Sequence, residues 1–109
     1  MININDFGKL DLRIGTILKA ELLENAKTSA YVLEIDLGKF GIKKSSTQIT
    51  DMYQPSDLVG KQIVAVVNLS PKKIAGITSE VLVLGANSKD HAVVLLEPQK
   101  NIPNGAKVG

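Results

Sequence analysis

Apolar and polar positions alternate most regularly over residues 31–37, where Tyr31, Leu33, Ile35 and Leu37 stand against Glu34 and Asp36. A period of two is that of a strand with one face buried, so these four side chains are expected to point inward. Residues 13–23 alternate in the same way, with Ile14, Thr16, Leu18 and Ala20 set against Gly15, Ile17, Lys19 and Glu21. A glycine inside a long strand marks a bend or bulge, so Gly15 is expected to curl the sheet. Gly38 and Gly41 bracket a tight turn, after which 42–49 (Ile-Lys-Lys-Ser-Ser-Thr-Gln-Ile) reads as a third, very polar strand. Few of its side chains suit a core, so at least one face is expected to meet water or a polar partner. Residues 51–58 suggest one or two helical turns interrupted by Pro55 and ended by Gly60. Two short runs rich in β-branched residues, 63–67 and 81–84, are too short for ordinary helices and predict strands.

Between those two runs lies a connector, 68–80, holding Pro71 and Gly76. Proline fixes φ and cannot donate to a ladder, and glycine admits backbone angles that other residues resist. The segment therefore predicts a connection that presents Lys72 and Lys73 on a rigid frame. At the N-terminus, Ile4, Phe7 and Leu10 share one side of a short helix that Asn3 or Asn5 would cap. The unbroken apolar run 92–96 predicts a segment buried on both faces, and Pro103-Asn104-Gly105 predicts a turn.

Periodicity alone supports an all-β protein forming a small barrel. Three strands, a short helix and then two strands, with a glycine inside the first, is the order of an OB-fold, a five-stranded Greek-key barrel. Such a barrel would be complete by about Gly85. The N-terminal arm and the 92–96 run then exceed what one small barrel covers. The expectation is a two-fold homodimer built through these appended terminal elements. The alternative is that both ends fold back over their own barrel.

A chain of 109 residues predicts a single domain, 1–109. The absence of cysteine excludes disulfides, thiol catalysis and cysteine-ligated zinc. No signal-peptide pattern opens the chain, and no apolar run approaches the roughly 20 residues needed to span a bilayer, so no membrane insertion and a cytoplasmic location are expected. A net charge of +2 says little about partners, but its distribution says more. Lys43-Lys44 and Lys72-Lys73 are the only adjacent basic pairs, and neither has an acid within four positions. They are either solvated loop lysines or parts of an anion-binding face. OB-folds bind oligonucleotides on the face of strands 2 and 3, between the loop after strand 1 and the connector of strands 4 and 5. That topology carries both pairs to one face and favours the second reading. With only Phe7, Tyr31, Phe40 and Tyr53 as aromatics, base stacking is weakly supplied. Backbone and 2′-hydroxyl contacts to folded RNA suit lysines, serines, Asn68 and Gln48 better. Asn68 also fits a turn closing a strand, Ser79 also fits a strand cap, and Glu80 would repel phosphate unless it orients a lysine or a 2′-hydroxyl. Catalytic residues, metal ligands and cofactors are not expected. The lone His91 beside Asp90 has no cysteine or second histidine as partner, and no glycine-rich phosphate loop occurs.

Two motifs, Asp11-Leu12-Arg13-Ile14-Gly15-Thr16-Ile17 and Asn68-Leu69-Ser70-Pro71-Lys72-Lys73-Ile74-Ala75-Gly76-Ile77-Thr78-Ser79, together with Pro103-Asn104-Gly105, resemble the tRNA-binding OB-fold family over nearly the whole chain. That module occurs alone and appended to methionyl-tRNA synthetases. Residues 44–50 and 79–85 look most like its stand-alone CsaA-type branch, described as export-related chaperones; Val81-Leu82 replaces the glycine-methionine usual in synthetase-attached members. The resemblance implies a dimeric OB-fold binding tRNA by shape, with unfolded or presecretory polypeptides as alternative ligands. It places Asn68, Lys72, Lys73 and Ser79 in the nucleic-acid-facing motif, and Ser45, Ser46 and Gln48 beside Lys43 and Lys44 on the matching third strand.

Overall fold

The longest strand, β1 (Leu12–Leu22), forms the spine of the molecule, with neighbours hydrogen-bonded along both edges. The computed structural model describes residues 1–90 and 92–109, so His91 lies outside the described residues. In chain order the other elements are α1 (Ile4–Phe7), β2 (Tyr31–Asp36), β3 (Ile42–Thr47), α2 (Pro55–Leu58), β4 (Gln62–Val66), β5 (Lys72–Ile74), β6 (Ile77–Ser79), β7 (Leu82–Val83), β8 (Gly85–Asn87), β9 (Val93–Leu95) and β10 (Lys107–Val108). The antiparallel order β3-β2-β1-β4-β7 gives a nearly closed five-stranded barrel, with α2 between β3 and β4: the expected OB-fold. Closure joins β3 to residues 79–80, where Glu80 N donates to Lys44 O (2.7 Å) and Ser46 N to Ser79 Oγ (3.0 Å).

The barrel interior is filled by Ile17, Leu33, Ile35, Leu37, Ile49, Leu58 and Ile63, joined by Tyr31, Val81, Val83 and Leu95. β2 behaves as its alternation predicts, burying Tyr31, Leu33, Ile35 and Leu37. β4 is buried on both faces: Ile63 and Ala65 enter the barrel, while Val64 and Val66 join Leu12 and Ile14 in a second cluster outside it. That explains its continuous apolar run.

Several expectations are corrected. β1 does not keep one alternating face. Its register against β2 shifts between Ile17 and Lys19, so Leu18 is the extra residue and is exposed, while Ile17 enters the core. The bulge lies at Leu18 rather than Gly15. Gly15 meets a different demand: a Cβ there would sit 2.6 Å from Ile35 Cγ2 and 2.7 Å from Leu37 Cδ2. β3 ends at Thr47, although Ile49 beyond it is fully buried. Pro55 starts α2 instead of interrupting it, taking the first-turn position whose N–H has no partner in any helix. Within one protomer the 92–96 run is covered on one side only: Leu95 enters the core, while Val94 and Leu96 are exposed, as expected of a run that a single small barrel does not cover.

The chain ends diverge in behaviour. The C-terminal segment folds back, with β10 pairing to β1, Ile14 N donating to Ala106 O (3.0 Å) and Gly105 N to Ile14 O (2.7 Å). Asn104 Oδ1 accepts from Thr16 Oγ1 (2.7 Å) and Gln62 Nε2 (3.2 Å). The first motif is knitted to this turn: Arg13 Nε donates to Asp11 Oδ1 (2.7 Å), its guanidinium lies 4.6 Å from the Phe40 ring centroid, and Nη1 reaches Gly105 O (3.3 Å). The N-terminal helix is capped by Asn3 in a reciprocal box with Asp6, yet it buries no side chain. Ile2 and Ile4 remain 77% and 78% exposed.

Candidate nucleic-acid interface

The connector 68–80 is itself a hairpin. β5 and β6 pair as Lys72↔Ser79, Lys73↔Thr78 and Ile74↔Ile77. Ala75 and Gly76 between them have φ of 48° and 87°. Positive φ at both central residues is the two-residue turn whose twist matches a hairpin. Alternation sends Lys72 and Ile74 to one face of the hairpin and Lys73 to the other.

Residues 79–80 bring the two basic pairs together. On one side Ser79 accepts from Ser46 N, and Glu80 Oε1 accepts from Lys44 N (3.1 Å) while Oε2 lies 3.7 Å from Lys43 Nζ. On the other side Ser79 is the cross-strand partner of Lys72. Lys43-Lys44 and Lys72-Lys73, far apart in the chain, thus flank the same two residues. Among the described residues, Lys44, Lys72 and Lys73 take part in no ion pair.

Three grooves run along β3 beneath the hairpin, each touching both Ser46 and Ile74. The largest, about 570 Å³, is lined by Leu69, Pro71, Lys72, Ser79, Val81 and Leu82 in addition. A second, about 390 Å³, continues to Gln48, Thr47 and Asn87. A third, also about 390 Å³, reaches Gln48, Lys27 and Thr28 in the loop after β1. A separate cleft of about 320 Å³ holds Lys43 with Phe40, Pro71 and Glu80 at the barrel end. Among the described residues, none of the grooves touching Ser46 includes an aromatic side chain. Both tyrosines are engaged elsewhere: Tyr31 Oη donates to Tyr53 O (2.6 Å), and Tyr53 Oη accepts from Leu95 N (3.0 Å).

The expected residues therefore separate. Lys44 and Ser46 share the outward face of β3, with Gln48 exposed just beyond its end, and Lys72 and Ser79 face Ser46 across the groove. Lys73 is exposed on the hairpin's far side. Ser45 is 1% exposed, and its hydroxyl lies 3.1 Å from that of Thr47, so its side chain belongs to the interior. Asn68 uses both ends of its amide on the N-terminal arm, with Oδ1 accepting from Asp11 N (2.9 Å) and Nδ2 donating to Lys9 O (2.7 Å). It closes the strand rather than facing the groove. Lys27 and Thr28 were missed in the sequence because neither carries a spacing signal; only the fold sets their loop beside Gln48. Among the described residues no group of three metal-ligating side chains gathers, and no helix is long and apolar enough to cross a membrane.

The family described as "Putative tRNA binding domain" matches residues 12–107. A chaperone CsaA from Bacillus anthracis is 54% identical and superposes with a TM-score of 0.95, covering 100% of this chain and 99% of that one. A CsaA chaperone protein from Picrophilus torridus is 45% identical, with a TM-score of 0.94 and complete coverage of both chains. The methionine–tRNA ligase of Methanococcoides burtonii is 37% identical over 106 residues, 96% of this chain. The chain spans only about 15% of the length of the curated ligases it matches. A match over almost all of β1 to β10, on a barrel that superposes throughout, means that the chain belongs to the tRNA-binding domain family.

Proposed function

We propose that residues 1–109 act as one non-catalytic, cytoplasmic unit that binds tRNA by shape, as a homodimer, without cofactor. The observation that carries this reading is the convergence of Lys43-Lys44 and Lys72-Lys73 on Ser79-Glu80. Lysines on β3 and on the hairpin, flanking a serine-lined groove, suit phosphates and 2′-hydroxyls on a folded RNA. The lack of rings in that groove among the described residues disfavours stacking of single-stranded bases. Lys44, Ser46, Gln48, Lys72 and Ser79 are the contacting side chains of the groove, Lys73 adds its charge from the hairpin's other face, and Lys43 lies beneath Glu80. If the three cations without an ion pair each meet a phosphate, log K falls against log[salt] with a slope of roughly −3 per protomer. Replacing Lys72 and Lys73 by alanine takes about two from that slope. An unchanged slope removes these lysines from the interface.

A second reading rests on the apolar floor of the same groove, Leu69, Pro71, Ile74, Val81 and Leu82, and on the likeness to the CsaA chaperones. In it the protein holds unfolded or presecretory polypeptides. Peptide held by apolar contact keeps its affinity at high salt, whereas tRNA does not. Titrating labelled tRNA and a labelled unfolded presecretory protein at low and high salt separates the two readings.

A further inference from the structure

We infer that the Glu80 carboxylate is a built-in competitor for phosphate: it occupies an anion subsite formed by the Lys43 ammonium and the Lys44 backbone N–H. The inference deepens the tRNA-binding reading and rests on it. One carboxylate oxygen lies 3.1 Å from Lys44 N and the other 3.7 Å from Lys43 Nζ, the two-point grip that a phosphate's oxygens would receive. The pair is open to solvent, with side chains 35% and 40% exposed, so an arriving anion reaches it. An ion pair exposed to this degree is weak and exchangeable. The strand closure does not depend on the carboxylate, because Glu80 N donates to Lys44 O at 2.7 Å and Ser46 N to Ser79 Oγ at 3.0 Å. The side chain is therefore free to rotate away while the barrel stays shut. In place, it cancels one of the cations of the face and repels isolated anions. A ligand that binds Lys44 and Lys72 at the same time supplies enough attraction to displace it, so Glu80 selects multiply anchored polyanions over single phosphates.

The test compares the native chain of 109 residues with E80Q and E80Q/K43Q. Glutamine retains an oxygen for Lys44 N–H and removes only the charge. E80Q is expected to bind tRNA more tightly and to steepen the salt slope by about 0.9, so that its advantage over the native chain grows about three- to fourfold between 200 and 50 mM salt. E80Q/K43Q is expected to lose that added slope. An E80Q that melts with the native midpoint yet binds tRNA equally or less tightly overturns the inference. A readout independent of RNA is acylation of Lys43 Nζ, followed by mass spectrometry with Lys100, which is exposed and lines none of the grooves, as internal reference. Inorganic tripolyphosphate is expected to protect Lys43, already in the native chain and more strongly in E80Q; equal acylation with and without it overturns the subsite. If tRNA fails to bind while tripolyphosphate protects Lys43, the tRNA reading falls and the subsite stands. If K72A/K73A lowers the tRNA slope but E80Q leaves it unchanged, the inference falls alone.

Discussion

Gly38 and Gly15 show how single positions without a side chain hold the two halves of the barrel. Gly38 has φ of +63°, and a Cβ there would strike the carbonyl of Asn104 in the tail turn. G38A adds the left-handed backbone strain of an L-residue to displacement of residues 103–105, together about 2–3 kcal/mol. For a domain of this size that is a fall in Tm on the order of 10 °C or more, measurable by calorimetry. Gly15 faces Ile35 and Leu37 across the barrel wall, so any side chain there competes with two fully buried residues. At this scale the sequence was only partly legible. The inward set of β2 could be read from its alternation, and the glycine in β1 pointed to curvature. Why that glycine is needed depends on side chains some 20 positions away, which no local pattern reports.

At the scale of elements, the N-terminal arm is attached to the end of β4 through Asn68, which joins Lys9 and Asp11, and through Val67 N donating to Asp11 O (2.9 Å). N68A removes two hydrogen bonds at an exposed site, an effect of about 1–2 kcal/mol. It is expected to speed amide exchange across residues 1–11, above all at Asp11 N, while the exchange of β2 stays slow. Unaltered exchange in the arm means that other contacts hold it. The hairpin β5–β6 was legible only as a connector, because Pro71 and Gly76 announce turns and three-residue strands carry almost no periodic signal. The bulge at Leu18 was illegible for a related reason: an extra residue in one strand is defined by its partner strand.

At the scale of the whole molecule, an apolar arm that its own barrel leaves uncovered supports the proposed dimer. Native protein at micromolar concentration is expected to sediment as a dimer. Replacing Ile2 and Ile4 together by aspartate is expected to yield a monomer with near-native Tm, since neither side chain is buried in the protomer. It is also expected to halve the salt slope of tRNA binding if both protomers engage one RNA. A native chain that sediments as a monomer removes the dimer from the proposal, and with it the use of the arm.

The sequence by itself determined the barrel, the order of its strands and helix, and the two places where positive charge is concentrated, because those follow from local alternation, turn residues and charge spacing. Only the tertiary structure decided which of the expected residues share a face. Ser45 is buried beside Leu33 of β2, while capture of Asn68 by the arm and the seat of Glu80 between Lys43 and Lys44 N–H arise from contacts between segments 30 or more residues apart in the chain. Pairing β4 with β1 places Asn68 beside the arm, closing β3 against residues 79–80 seats Glu80, and a one-dimensional pattern contains no record of which strand edge will meet which.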